Sequence, residues 1–218
     1  MTPAMAEQLV SLPVPHYFEF RKLSILSEKA ARILARGKGV TLPLRVITPA
    51  VAAAFAEHAS ILRIADAQEL SLETATALAK HVGTLKLENL TDLHVDIAHA
   101  LAAKEGNLTF LDLPSLTPEV AKILATFKGT LSFGKMTTLP IDVARELASH
   151  YGVLEFSEIE RLDDVDVARV LSQHKNIVRL PCLVTVSDDV ARVMAPNMRA
   201  FDVPAPLSAH IRTFRSAY

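Results

Sequence analysis

Residues 85–107 read LKLENLTDLHVDIAHALAAKEGN, residues 108–130 read LTFLDLPSLTPEVAKILATFKGT, and residues 131–153 read LSFGKMTTLPIDVARELASHYGV. Each stretch opens on two apolar residues flanking one polar residue, the period-2 pattern of a short strand with one buried face. Apolar residues follow at offsets five and eight, as in Leu113 and Leu116 or Met136 and Leu139, and carry the chain across a core. The second half then places Ala, Leu and Ala at offsets thirteen, sixteen and seventeen: Ala98, Leu101, Ala102; Ala121, Leu124, Ala125; Ala144, Leu147, Ala148. That is an i, i+3, i+4 stripe, the buried edge of a helix. Small residues in two of its three places suit helices that approach closely. The spacing predicts a strand followed by a helix, repeated.

Working outward, residues 62–84 (LRIADAQELSLETATALAKHVGT) follow the same plan. The strand pairs recur as Phe18–Phe20, Val40–Leu42, Leu62–Ile64, Leu85–Leu87, Leu108–Phe110, Leu131–Phe133, Leu154–Phe156, Val178–Leu180 and Phe201–Val203, at intervals of 22, 22, 23, 23, 23, 23, 24 and 23 residues. Start signals agree with the helices. Thr48-Pro49 and Thr117-Pro118 place a capping hydroxyl before a proline, and Ser27, Ser71 and Ser187 stand where a cap belongs. Five of the seven glycines, Gly39, Gly83, Gly106, Gly129 and Gly152, fall one or two residues before a strand pair, where a left-handed helix end is expected.

With its L-x-L strand core, further leucines at fixed offsets and a return helix, the chain resembles a leucine-rich repeat over Phe18 to Val203. It departs from the pattern where an inward Asn normally follows the strand: Leu90, Leu113, Met136 and Ile159 stand there instead. The likeness is to a divergent, bacterial-like variety, and the turns after its strands need other partners for their backbone groups. The resemblance implies an α/β fold, a right-handed solenoid or horseshoe with about nine parallel strands on the concave face and helices on the convex face. The competing reading is a (β/α)8 barrel. Its crossovers need about 30 residues or more, so the short period argues against it.

The expected organisation is a single domain with a cap segment at 1–17, eight tandem repeats at 18–200 and a C-terminal cap at 201–218. Ala4 to Val14, ending near Pro13 and Pro15, form a degenerate opening unit. Pro204 and Pro206 discourage further strand pairing, and Ile211 with Phe214 can fold a last helix over the core.

Lys and Arg number 23 and Asp and Glu 24, so no large field recruits nucleic acid or an anionic membrane. The single Cys182 excludes an internal disulfide. No apolar run approaches the roughly 18 residues of a membrane span, and no secretory leader is visible. A cytoplasmic protein without cofactor is expected.

Chemical motifs are sparse. Cys182 has no histidine at a neighbouring offset to activate it. The eight histidines show no paired metal-binding spacing, with His94 and His99 five apart. His58, His81, His150 and His174 come late in their helices and are expected to be exposed, offsetting the helix dipole. Asp163, Asp164, Asp166, Asp188 and Asp189 fall in first turns, where carboxylates are stabilising without a metal. No catalytic or metal-ligating residue is assigned.

The remaining candidate is the polar residue between each pair of buried strand positions: Glu19, Thr41, Arg63, Lys86, Thr109, Ser132, Glu155, Arg179 and Asp202. Two residues further on stand Arg21, Pro43, Ala65, Glu88, Leu111, Gly134, Ser157, Pro181 and Pro204, and the period-2 rule puts both sets on the solvent face. From these, Glu19, Arg63, Lys86, Thr109, Ser132, Glu155 and Arg179 are the expected contacts for a protein or peptide partner. A non-catalytic interaction scaffold is the leading reading. The alternatives are a structural spacer that self-associates and a metal- or small-molecule-dependent enzyme.

Overall fold

The structure is a computed structural model that describes residues 1–12, 17–20 and 22–216. Pro13, Val14, Pro15 and Arg21 lie outside the described residues. Residues 1–112 and 113–218 form two compact units. Both are α/β, with parallel strands alternating with helices.

The first unit runs α1 (Pro3–Val10), β1 (Tyr17–Glu19), α2 (Glu28–Leu34), β2 (Gly39–Leu42), α3 (Pro49–Ala53), β3 (Ile61–Ile64), α4 (Leu72–Leu78), β4 (Thr84–Leu87), α5 (Val95–Ala102) and β5 (Asn107–Phe110). Its five strands lie parallel in chain order. The register pairs Phe18 with Val40, Val40 with Leu62, Leu62 with Leu85 and Leu85 with Leu108. These are the positions that the 22- and 23-residue spacing equates.

The second unit runs α6 (Pro118–Leu124), β6 (Leu131–Phe133), α7 (Ile141–Leu147), β7 (Leu154–Phe156), β8 (Arg161–Leu162), α8 (Val165–Leu171), β9 (Val178–Arg179), β10 (Thr185–Val186), α9 (Asp188–Met194), a 3-10 segment (Ala195–Ala200), β11 (Phe201–Asp202) and α10 (Ala205–Thr213). The order β6-β7-β9-β11 is again parallel, with Leu131 beside Leu154, Leu154 beside Val178, and Val178 beside Phe201. Nine parallel strands are therefore present among the described residues, and within neither unit do they close into a barrel. A separate parallel pair, β8 with β10, joins the two turns that follow β7 and β9. The repeat pattern did not anticipate it.

The inward positions make the core. Leu62, Ile64, Leu85 and Leu87 in the first unit, and Leu131, Phe133, Leu154 and Phe156 in the second, are fully buried. The Phe133 and Phe156 rings stack 5.5 Å apart. The helical stripe is buried with them through Ala98 and Leu101, Ala121 and Leu124, and Ala144 and Leu147. At the far end of the second unit Leu207 and Ile211 of α10 are buried, and the Arg192 guanidinium lies 5.6 Å from the Phe214 ring centre.

Ser27, Thr48, Ser71, Thr117 and Ser187 each accept a backbone N–H of the first turn, as read from sequence. His94 and Pro140 hold the same place ahead of α5 and α7 without a side-chain cap. Opposite effects follow. Thr117→Ala, which removes a 3.3 Å bond to the Val120 N–H, is expected to lower stability by about 1 kcal/mol, and His94→Ser to raise it by a similar amount. Urea denaturation of the two variants checks both signs.

The glycines behave differently from the expectation. Gly106 alone of the described glycines has a left-handed backbone, at φ 82°. The helices end instead on right-handed residues such as Ala79 and Ala148. Gly83 and Gly152 are required by space, because a Cβ there would lie 1.9 Å from Ser60 O and 2.0 Å from Gly129 O respectively. Successive turns touch backbone to backbone at this offset, and a side chain would hold them apart.

Candidate binding face

Strand register fixes the row that alternates with the core positions in each unit. In the first, Glu19, Thr41, Arg63, Lys86 and Thr109 are successive cross-strand partners. In the second, Ser132 faces Glu155, Glu155 faces Arg179, and Arg179 faces Asp202. All seven candidate residues thus fall on strand faces, in two rows.

In the first unit the cations Arg63 and Lys86 are neighbours, an arrangement that like charges disfavour. It is relieved by Glu88, one strand over and two residues on, which forms an ion pair with the Arg63 Nε. Lys86 is half-buried and keeps its ammonium without a carboxylate partner among the described residues.

In the second unit Glu155 is a hub. Its Oε1 accepts hydrogen bonds from the Ser132 and Ser157 hydroxyls, both at 3.3 Å. Arg179 approaches Glu155 Oε2 at 3.7 Å and Asp202 Oδ2 at 3.4 Å. A carboxylate, guanidinium, carboxylate sequence therefore runs across three strands. Ser132 is only 7 % exposed, so it orients Glu155 and presents little surface of its own. Partial exposure keeps each ion pair weak, and a partner's charges can exchange with them.

The turn after β4 satisfies backbone groups through Asn89, one position before Leu90. Asn89 adopts φ 58°; its N–H donates to Asp112 Oδ2 at 2.8 Å, and its Nδ2 donates to Ala65 O at 3.1 Å and Asp66 Oδ1 at 3.3 Å. The sequence carries the signal, since Asp66, Asn89 and Asp112 are spaced at 23 and 23.

The late-helix histidines overturn their expected role. His58, His81, His150 and His174 are buried, at 4 %, 0 %, 1 % and 4 % exposure, and so is Lys104 at 2 %. They occupy one repeat offset and reach back to carbonyls of the preceding turn. The Nε2 of His58, His150 and His174 lies 3.1, 3.0 and 2.9 Å from the carbonyls of Gly37, Gly129 and Gly152. Lys104 Nζ donates to Gly83 O, at 2.5 Å, and to Glu105 O. His81 uses Nδ1 toward Phe55 O at 3.1 Å. Its Nε2 also faces a carbonyl, that of Thr84 at 3.4 Å, and a neutral imidazole donates through only one of its nitrogens. The rings also stack, His58 on His81 at 5.4 Å and His150 on His174 at 6.2 Å.

Burial depresses the basicity of His58, His81, Lys104 and His150. His81 is pushed down to about 4, chiefly by desolvation, against the opposing effect of the Phe55 carbonyl and with help from the Lys104 charge. His58 and His150 are lowered for the same leading reason. Lys104 is lowered to about 8 by burial. These groups satisfy buried carbonyls at turn ends, and neutral imidazoles do so at less cost than charged ones.

Among the described residues no three His, Cys, Asp or Glu side chains are placed to hold a metal ion, and Cys182 is exposed. No helix among them is long and apolar enough to cross a membrane. Comparison with protein-family models and with curated proteins finds no match to this chain.

Proposed function

We propose that the chain is a non-catalytic binding module, a right-handed α/β solenoid of the leucine-rich-repeat kind, and that its strand face takes a polypeptide. The solenoid reading is supported by a register that equates the same repeat position at every strand pair described above. The observation that carries the binding reading is the row Glu155, Arg179, Asp202, braced by Ser132 and Ser157. Strand-borne charges in fixed order lose little side-chain freedom when a partner arrives, and their alternation in sign complements a mixed-charge polypeptide and disfavours a uniformly charged one.

The test is selection of binding peptides from a random display library on the full chain, followed by calorimetry with the selected peptides. The variant carrying Arg63→Ala, Lys86→Ala, Glu155→Ala and Arg179→Ala together is expected to lose about tenfold or more in affinity, each lost charged contact being worth about 1.5 kcal/mol or more. Thermal unfolding should change little, because the four charged groups are outside the core. Undiminished affinity in that variant overturns the assignment of the site.

A further inference from the structure

The buried offset that holds His150 and His174 in the second unit changes character one repeat later. Asn197 stands 23 residues after His174, within the 3-10 segment, and departs from helical geometry at φ −115°, ψ 24°. A short amide on a bent backbone replaces a stacked imidazole, and a cavity of about 410 Å³ opens beside it. That volume is within the range of small-ligand sites.

The lining carries formal charges of one sign. It includes Lys175 and Arg199 and no carboxylate, with Ser172, His174, Asn176 and Asn197 as the other polar members. Both cations are exposed on the cavity wall. Among the described residues the side chains of Lys175, Arg199 and Asn197 have no hydrogen-bond or ion-pair partner.

The remaining lining groups are already committed. The Asn176 Nδ2 donates to Tyr151 O and its Oδ1 accepts from the Ile177 N–H. Ser172 Oγ donates to Ala168 O, and both His174 nitrogens face carbonyls. Two carbonyls at the end of α8, of Val170 and Leu171, are taken by the N–H groups of Gln173 and His174, which blunts the negative end of that helix. The uncommitted groups are thus two cations and one amide donor around one cavity, a donor set matched to a dianion with several acceptor oxygens.

We infer that this cavity binds the phosphate group of a small phosphate ester. The proposal is independent of the strand-face reading, since it uses none of those residues. Lys175 and Arg199 neutralise the two charges, and the Asn197 Nδ2 donates to a third oxygen.

Glycerol phosphate titrated into the full chain at constant ionic strength, followed by amide chemical shifts, tests it. The expected result is saturable one-site binding, with shifts at Asn197 and Asn176. Lys175→Ala with Arg199→Ala should weaken it by about tenfold or more, two charge-assisted bonds being lost. Asn197→Asp, nearly isosteric, should weaken it as well by placing a carboxylate on the wall. Lys122→Ala, an exposed lysine of α6, should leave it unchanged. Linear shifts without saturation, equal binding by the double variant, or equal binding of acetate overturn the proposal. Tighter binding of a phosphoserine dipeptide than of glycerol phosphate overturns the small-molecule assignment.

Discussion

As the pH falls from 6.5 to about 4, the protein is expected to lose roughly 3 kcal/mol of stability through His81 alone. The sign follows from proton counting. In the unfolded chain His81 titrates near 6.5, whereas in the fold burial holds it near 4. Above 6.5 neither state binds the proton, and the full contribution is present. Between the two values the unfolded chain takes up a proton that the folded chain refuses, so unfolding is favoured as acid is added. Below about 4 both states are protonated and no further loss accrues. His58 and His150 act in the same direction. For His58 the geometry adds to this, since it donates through Nε2 to Gly37 O while its buried Nδ1 has no hydrogen-bond partner, whereas at His81 the Thr84 carbonyl faces the second nitrogen and desolvation outweighs it. Lys104 follows the same rule at the alkaline end, stability falling as pH drops from 10.5 to about 8. Urea denaturation at intervals between pH 8 and 4 measures the slope. His81→Gln, which retains an N–H donor for Phe55 O, should flatten it, and an identical slope in the variant would show that His81 is not the group responsible.

Much of the fold was legible because a repeat reports the same physical constraint several times. The apolar pairs Leu62–Ile64 and Leu85–Leu87 fall in register as spaced, and the hydroxyls predicted to cap do cap. The strand-face row was legible for the same reason, since alternation assigns a face once the strand is known. What the sequence concealed was sidedness outside the regular elements. His58 and His81, like Lys104, lie just past their helices, where no periodicity states which way a side chain turns. The dipole argument placed them in solvent. The governing demand was a different one: carbonyls at the turn ends are buried against the next turn and need donors. The 23-residue spacing of His58, His81 and Lys104 was visible as a column, and a polar column at constant offset in an apolar repeat is a sign of backbone satisfaction. Asn89, with Asp66 and Asp112 at the same spacing, is a second instance. Ser132 shows the converse, a face residue by alternation that is covered and works through Glu155.

Backbone satisfaction at these turns requires backbone proximity, which makes Gly83 an exacting position in the first unit. Its added Cβ would lie 1.9 Å from Ser60 O, 2.7 Å from Ser60 N and 2.8 Å from Ala59 C. All three are main-chain atoms, so no rotamer change can make room. Moving the turns apart would also stretch the 3.0 Å bond from the Thr84 N–H to Ser60 O and shift the Gly83 carbonyl away from Lys104. Gly83→Ala is therefore expected to cost about 3 kcal/mol or more, at the upper end of overpacking effects. Gly39 comes one residue later in its repeat, in register with Ile61 and through it with Thr84, and provides the control. Its Cβ would crowd Tyr17 ring atoms, at 2.7 and 3.0 Å, with Ile61 O at an ordinary 3.7 Å, and that ring is 67 % exposed and can swing aside. Gly39→Ala should change stability by less than about 1 kcal/mol. Urea denaturation compares the two, and should Gly83→Ala fail to fold, far-ultraviolet circular dichroism records the loss while Gly39→Ala retains its spectrum. Equal effects from the two substitutions would mean that contact between neighbouring turns does not select glycine here.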